Sequence, residues 1–187
     1  MIFSVEKKQE ILAFIRATIS GRFSSAKVEK LSEMSGKMTE LCSCFVSLHK
    51  GNGKLRGCIG NIMAHEALGE NIKHNAINAA FGDPRFPQLA EEELDDLEIE
   101  ISILTPPESI ASADNFIVGE HGIILECRGR SAVFLPQVAP EQNWSREDTL
   151  TNLCYKANLP FRAWDSEDAK LSVFTAIVFS EKDFQKK

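Results

Sequence analysis

Residues 41–62 constrain the fold most, because their pattern commits the chain to an antiparallel pair. From 41 to 49 the residues alternate, with Cys42, Cys44, Val46 and Leu48 on one face and Ser43, Phe45, Ser47 and His49 on the other. Gly51-Asn52-Gly53 supplies turn residues, and Lys54 to Ile62 returns as a second strand.

Around that hairpin the periodicity changes. Residues 4–20 read as an amphipathic helix that Ser4 can cap and Gly21 can end, with Val5, Ile11, Leu12, Ile15 and Ile19 at helical spacing. Arg22 to Thr39 is polar and weakly patterned, and is expected to be loop and short turns. Ala64 to Phe81 reads as a helix with Leu68, Ile72, Ala76, Ala79 and Ala80 as its buried stripe, stopped by Gly82-Asp83-Pro84. Leu97 to Leu104 alternates as a strand, and Thr105-Pro106-Pro107 ends it. Residues 122–128 and 131–135 form a second hairpin around Gly129. Ser145, ahead of Glu147 and Asp148, starts a helix whose apolar face holds Leu150, Leu153, Cys154 and Ala157. Leu171 to Phe179 reads as one strand.

This order lacks strict βαβ alternation. It predicts an α+β fold of mostly antiparallel or mixed sheets with packed helices. One domain over residues 1–187 is expected, with any subdivision near 105–115.

Several functional classes lose support. Apolar residues make up 43% and charged residues 26%, ordinary for a globular chain. The net charge of −6 disfavours general nucleic-acid binding. No apolar run approaches the ~20 residues that span a bilayer, and the N-terminus does not resemble a signal peptide. No membrane association is expected, and the cytoplasm is the expected compartment. The five cysteines are odd in number and contain no C-x-x-C pair, which points to reduced thiols. The histidines form no metal motif, nucleotide-binding and serine-hydrolase signatures are missing, and no metal or cofactor is predicted.

Chemistry concentrates in Lys54-Leu55-Arg56-Gly57-Cys58-Ile59-Gly60-Asn61. Simple alternation groups Leu55, Gly57 and Ile59 on one face and Lys54, Arg56, Cys58 and Gly60 on the other. Cys58 is then the one cysteine beside cations, and an adjacent guanidinium favours its thiolate. Gly57 and Gly60 leave room for a ligand or a second backbone, or else mark a bulge with Cys58 as a small buried hydrophobe. Cys42, Cys44, Cys127 and Cys154 read as core residues.

In Asp83-Pro84-Arg85-Phe86-Pro87, two prolines fix an Arg-Phe pair. This is either a binding element or a helix stop with a surface ion pair. His121, among glycines at a strand entrance, can be a base or simply an exposed residue. The run Glu91 to Asp96 reads as a solvated helical turn, and His49, His65 and His74 as solvated or cap-like.

Leu55-Arg56-Gly57-Cys58-Ile59-Gly60 resembles the hallmark hexapeptide of the AMMECR domain. The resemblance extends through Asp83-Pro84-Arg85-Phe86-Pro87-Gln88-Leu89, Gly119-Glu120-His121-Gly122-Ile123, and Leu135-Pro136-Gln137-Val138-Ala139 with Glu141 and Trp144. It covers about residues 5 to 180. It implies two intertwined subdomains flanking a cleft, with Arg56, Gly57, Cys58, Gly60, Asp83, Arg85 and His121 at motif positions. Prokaryotic relatives are called protein A of the AmmeMemoRadiSam system, so a Memo-like protein and a radical SAM protein are the implied partners.

Two readings stand. In the first, the chain is a small-molecule enzyme or enzyme component. Cys58 is then nucleophile or ligand, and His121 general base or partner. Arg56 and Arg85 hold an anionic ligand, Asp83 orients one of them, and Gly57, Gly60 and Phe86 shape the site. In the second, the chain is a non-catalytic module that docks the Memo-like or radical SAM partner.

Overall fold

The computed structural model describes residues 3–24 and 36–184, so most of the loop expected between Arg22 and Thr39 lies outside the described residues. In chain order the elements are α1 (Val5–Ser20), β1 (Cys44–Lys50), β2 (Leu55–Gly60), α2 (Leu68–Phe81), β3 (Leu97–Leu104), β4 (Glu108–Ile110), β5 (Gly122–Cys127), β6 (Arg130–Phe134), α3 (Val138–Glu141), α4 (Arg146–Lys156), β7 (Lys170–Phe174) and β8 (Ala176–Ser180). They form two compact units. One holds the chain up to Leu104 and again from Ile177, and the other holds Thr105–Ala176.

The first unit is a four-stranded sheet, ordered β2-β1-β3-β8, with α1 and α2 packed on it. β1 pairs antiparallel with both β2 and β3. Alternation turns Cys44, Val46 and Leu48 of β1 and Ile99, Ile101 and Ile103 of β3 to the helices, where Ile11, Ile15, Ile19, Ile72 and Ala76 meet them in a sealed core. The Ser4 hydroxyl caps α1 by accepting from the Lys7 N–H at 3.2 Å.

α2 begins at Leu68 rather than Ala64. The preceding residues are engaged elsewhere: the Glu66 carbonyl accepts the Cys42 N–H at 3.4 Å, and Ala67, paired with Leu41, is extended. Two asparagines sit on the helix face that the apolar stripe also occupies. Asn71 accepts the Cys44 N–H at 3.0 Å, and Asn75 donates to Cys44 O at 3.1 Å. Both are buried; Asn71 satisfies the Cys44 N–H, while Asn75 adds a second donor to the Cys44 carbonyl, which also accepts the Asn61 N–H at 3.3 Å.

The second unit is an antiparallel sheet ordered β4-β7-β5-β6. α4 starts with a capping box in which Ser145 Oγ accepts from the Asp148 N–H at 3.1 Å and Asp148 accepts from the Ser145 N–H at 3.0 Å. Its Leu150, Leu153 and Cys154 pack with Ile123, Leu125 and Cys127.

The run Leu171–Phe179 is two strands, not one. β7 belongs to the second sheet and β8 to the first. The break is at Thr175, whose N–H donates to Thr105 Oγ1 at 2.9 Å and whose carbonyl accepts the Thr105 N–H at 2.9 Å. These two threonines mark where the chain enters and leaves the second unit. Among the described residues, no helix is long and apolar enough to cross a membrane.

Candidate functional site

β2 is an edge strand, and its register with β1 is interrupted. Leu48 pairs with Gly57 but His49 pairs with Leu55, which leaves Arg56 as an extra, bulged residue. The simple alternation that groups Arg56 with Cys58 therefore fails at this point. Cys58 lies opposite Ser47, and Leu55, not Arg56, takes the place beside His49.

The bulge turns Arg56 into the protein, where it is 4% exposed. Its guanidinium forks onto Glu93, Nε to Oε1 and Nη2 to Oε2 at 2.8 Å each, and Nη2 also reaches Gln88 O at 3.3 Å. Glu93 accepts the Ala90 N–H at 3.1 Å and lies 3.4 Å from Lys50 Nζ. So one member of the acidic run is a structural partner rather than a solvated charge, and Arg56 is committed to it.

The Arg56 guanidinium, the Ala90 N–H and Lys50 together hold the Glu93 carboxyl at about 2, below its ordinary 4.5. A carboxyl depressed in the folded state stabilises fully above its unfolded value, and that contribution fades as pH falls from about 4.5 toward 2. Glu93→Gln is expected to lower stability at neutral pH and to lose less of it across this acid window than the wild type. Urea unfolding at a series of pH values measures both.

Gly57 brings β2 directly onto α2. A Cβ there would lie 2.1 Å from Ala79 O, in the helix backbone. Gly60 has a similar constraint, since a Cβ would lie 2.5 Å from Cys44 O and 2.3 Å from the Phe45 ring. Both glycines serve close packing rather than an open ligand approach.

Between them, Cys58 is gripped from outside the sheet. Its N–H donates to Asp83 Oδ2 at 2.9 Å, and its carbonyl accepts from Arg85 Nη2 at 3.1 Å. The Asp83–Arg85 pair thus occupies part of the hydrogen-bonding edge that a further strand would use. Arg85 is itself forked onto Asp83, Nε to Oδ1 at 2.9 Å and Nη2 to Oδ2 at 2.7 Å, while Asp83 Oδ1 also accepts the Arg85 N–H at 3.1 Å. The guanidinium, aided by the N–H groups of Cys58 and Arg85, holds the buried Asp83 carboxyl well below the usual carboxylate range. Asp83, followed by Cys58, raises Arg85 above its ordinary value.

The sulfur of Cys58 accepts a hydrogen bond from Ser47 Oγ at 3.2 Å. Cys58 is partly exposed, whereas Cys42, Cys44, Cys127 and Cys154 are buried. Burial pushes the Cys44 thiol up to about 12 and raises Cys42 and Cys154 as well. The guanidinium that reaches Cys58 is that of Arg85, whose side chain is 55% exposed. Among the described residues its Nη1 group has no hydrogen-bond partner. Phe86 lies 5.5 Å beneath the same guanidinium.

Cys58, Asp83, Arg85 and Phe86 therefore form one cluster. Arg56 is nearby in sequence but directed to Glu93, and His121 belongs to the Thr105–Ala176 unit. There the His121 Nδ1 accepts the Ile117 N–H at 3.2 Å, which assigns any ring proton of the neutral form to Nε2. His49 is half-buried, with a buried Nε2 that has no partner among the described residues, so it is not the solvated residue its neighbours in sequence imply. His74 is exposed and pairs with Glu66 at 2.8 Å. Among the described residues, no group of three or more His, Cys, Asp or Glu side chains is arranged to hold a metal.

Ser47, Asn71, Asn75 and Glu93 are the contributors that residue patterns did not single out. Asn71 and Asn75 had a visible signal, an i, i+4 polar pair inside an apolar helical stripe. Ser47 and Glu93 had none, because their partners are chosen by strand register and by a contact across 37 residues.

The AMMECR1 family model matches residues 12–179. A Thermococcus onnurineus protein is 41% identical over 155 residues, covering 78% of this chain and 76% of that one. A Methanopyrus kandleri protein is 35% identical over 189 residues, covering 96% and 91%. The crystal structure of an uncharacterized Pyrococcus horikoshii protein matches with a TM-score of 0.82 at 35% identity, covering 92% of this chain and 90% of that one. The chain belongs to the AMMECR1 family.

Proposed function

We propose that this chain is an enzyme or enzyme component that binds a small anionic molecule at Arg85 and presents it to the thiol of Cys58. The observation that carries this reading is the double grip on Cys58. Its N–H and carbonyl are fixed by Asp83 and Arg85, while Cys58 is the one cysteine left partly exposed. A fixed thiol beside a guanidinium with free donors suits attack on the electrophilic carbon of an anionic molecule such as an α-substituted carboxylic acid or a phosphate ester: the sulfur–carbon bond forms as the bond from that carbon to its leaving group breaks, and the leaving group departs as an anion. Ser47 supports the developing thiolate. Cys58, being partly exposed, gives its thiol proton to solvent, and His121, in the Thr105–Ala176 unit, takes no part in this reading. Arg56 with Glu93, and Gly57 and Gly60, act by positioning β2. The chemistry needs a reduced thiol, which the cytoplasm supplies.

The test is protection. Inorganic phosphate or pyruvate is expected to slow modification of Cys58 by N-ethylmaleimide, and Arg85→Gln to remove that protection. Equal modification rates with and without both anions would defeat the anion site.

A second reading rests on Phe86 packed under the exposed Arg85, in a loop stiffened by Pro84 and Pro87. Such a pair suits docking of a Memo-like or radical SAM partner. In that case Cys58→Ser retains the partner in a pull-down, whereas Arg85→Ala and Phe86→Ala lose it.

A further inference from the structure

The Thr105–Ala176 unit has a cavity of its own. Its volume is about 640 Å³, within the range of small-molecule sites. Ile110, Leu150, Leu171 and Trp164 supply apolar wall, and Arg146 and Arg162 are the cations that line it.

Each arginine is held by carboxylates that are themselves largely in solvent. Arg146 Nη1 lies 2.8 Å from Asp114, whose side chain is 88% exposed. Arg162 lies 3.2 Å from Asp165 and 3.8 Å from Glu147, which are 59% and 64% exposed. Exposed pairs of this kind contribute little and are readily exchanged for other partners. Arg162 also adopts φ 59°, a left-handed backbone that is unusual for a residue with a side chain, and its guanidinium lies 5.3 Å over the Trp164 ring.

The charges select the ligand class. A purely anionic molecule would gain the two guanidiniums but face three carboxylates. A purely cationic one would meet the reverse conflict. A molecule with both signs and an apolar body can replace the exposed pairs without leaving either sign unmatched. We propose that this cavity binds a small zwitterion with an apolar side chain, of the α-amino acid class. Its carboxylate would meet Arg162, since Arg146 is also tied by its Nε to Phe116 O at 3.1 Å; its ammonium group would meet Asp114 or Asp165, and its side chain the Leu150, Leu171 and Trp164 surface. This site is independent of the Cys58 cluster.

The test is calorimetric titration of the intact chain with four probes. L-phenylalanine and L-leucine carry both charges. 3-Phenylpropanoate and 2-phenylethylamine share the aromatic body of the first but carry one charge each. At least one of the amino acids is expected to bind saturably, and each singly charged probe to bind roughly tenfold more weakly or worse. Arg162→Met, which keeps the apolar stem, is expected to cost a similar factor while leaving the melting temperature near that of the wild type. No saturable binding of either amino acid overturns the proposal. So does binding of a singly charged probe as tight as that of the amino acids, or binding unaffected by Arg162→Met.

Discussion

Gly57→Ala is expected to lower stability by about 3 kcal/mol, measured as a shift in the urea midpoint at unchanged slope. The new methyl would lie 2.1 Å from Ala79 O and 3.1 Å from the Ala79 carbonyl carbon. Both atoms belong to the α2 backbone, which cannot rotate aside as a side chain can. Relief requires β2 or α2 to move by roughly 1 Å, and interiors packed to crystal density resist such shifts. The same shift would pull Cys58 away from Asp83 and Arg85. Gly53→Ala is the control. Gly53 has nothing within 4 Å of an added Cβ and differs only in its φ of +80°. Its substitution is expected to cost about 1 kcal/mol, from left-handed strain alone. If Gly57→Ala cost no more than Gly53→Ala, the close approach of β2 to α2 would not be the reason for glycine there.

Asp83→Ala is the second large effect, at about 3 kcal/mol. Asp83 is buried, with a side chain 2% exposed. Removing its carboxylate leaves two backbone donors, the N–H groups of Cys58 and Arg85, without their acceptor. It also releases the Arg85 guanidinium from its fork. Because Arg85 is 55% exposed and can be solvated, most of the loss comes from the two backbone groups. Asp83→Asn keeps one carbonyl acceptor and is expected to recover part of the stability without restoring the ion pair. In both variants the modification rate of Cys58 should change, because the strand edge that holds it is no longer clamped. A stability loss with no change in Cys58 reactivity would separate the clamp from the thiol.

How much of this was legible in the sequence depends on the range of the interaction. The first hairpin, the stripe of α2, the alternation of β3 and the cap of α4 are local patterns, and the structure has all of them. The four cysteines that read as core residues are buried. A bulge was one reading of Gly57 and Gly60, but its place at Arg56 was not legible, because one extra residue in a strand of six looks like ordinary alternation until the partner register is known. The Glu93 partner of Arg56 was hidden inside a run of similar acids, any of which could have been the solvated one. β7 and β8 read as a single strand because residue types do not state which sheet a strand joins. β4 has only three residues and follows two prolines, too little for a period.

The most direct measurement compares a charged and a neutral alkylating agent at Cys58. Iodoacetate and iodoacetamide deliver similar carbon electrophiles, but only the first carries an anion for Arg85 to hold. The account predicts that the iodoacetate-to-iodoacetamide rate ratio at Cys58, read by mass spectrometry, exceeds that of glutathione by several-fold at low salt. It should fall with added salt and return to the glutathione value in Arg85→Gln. A wild-type ratio equal to that of glutathione, or a Cys58 that neither reagent modifies in the folded protein, would contradict it.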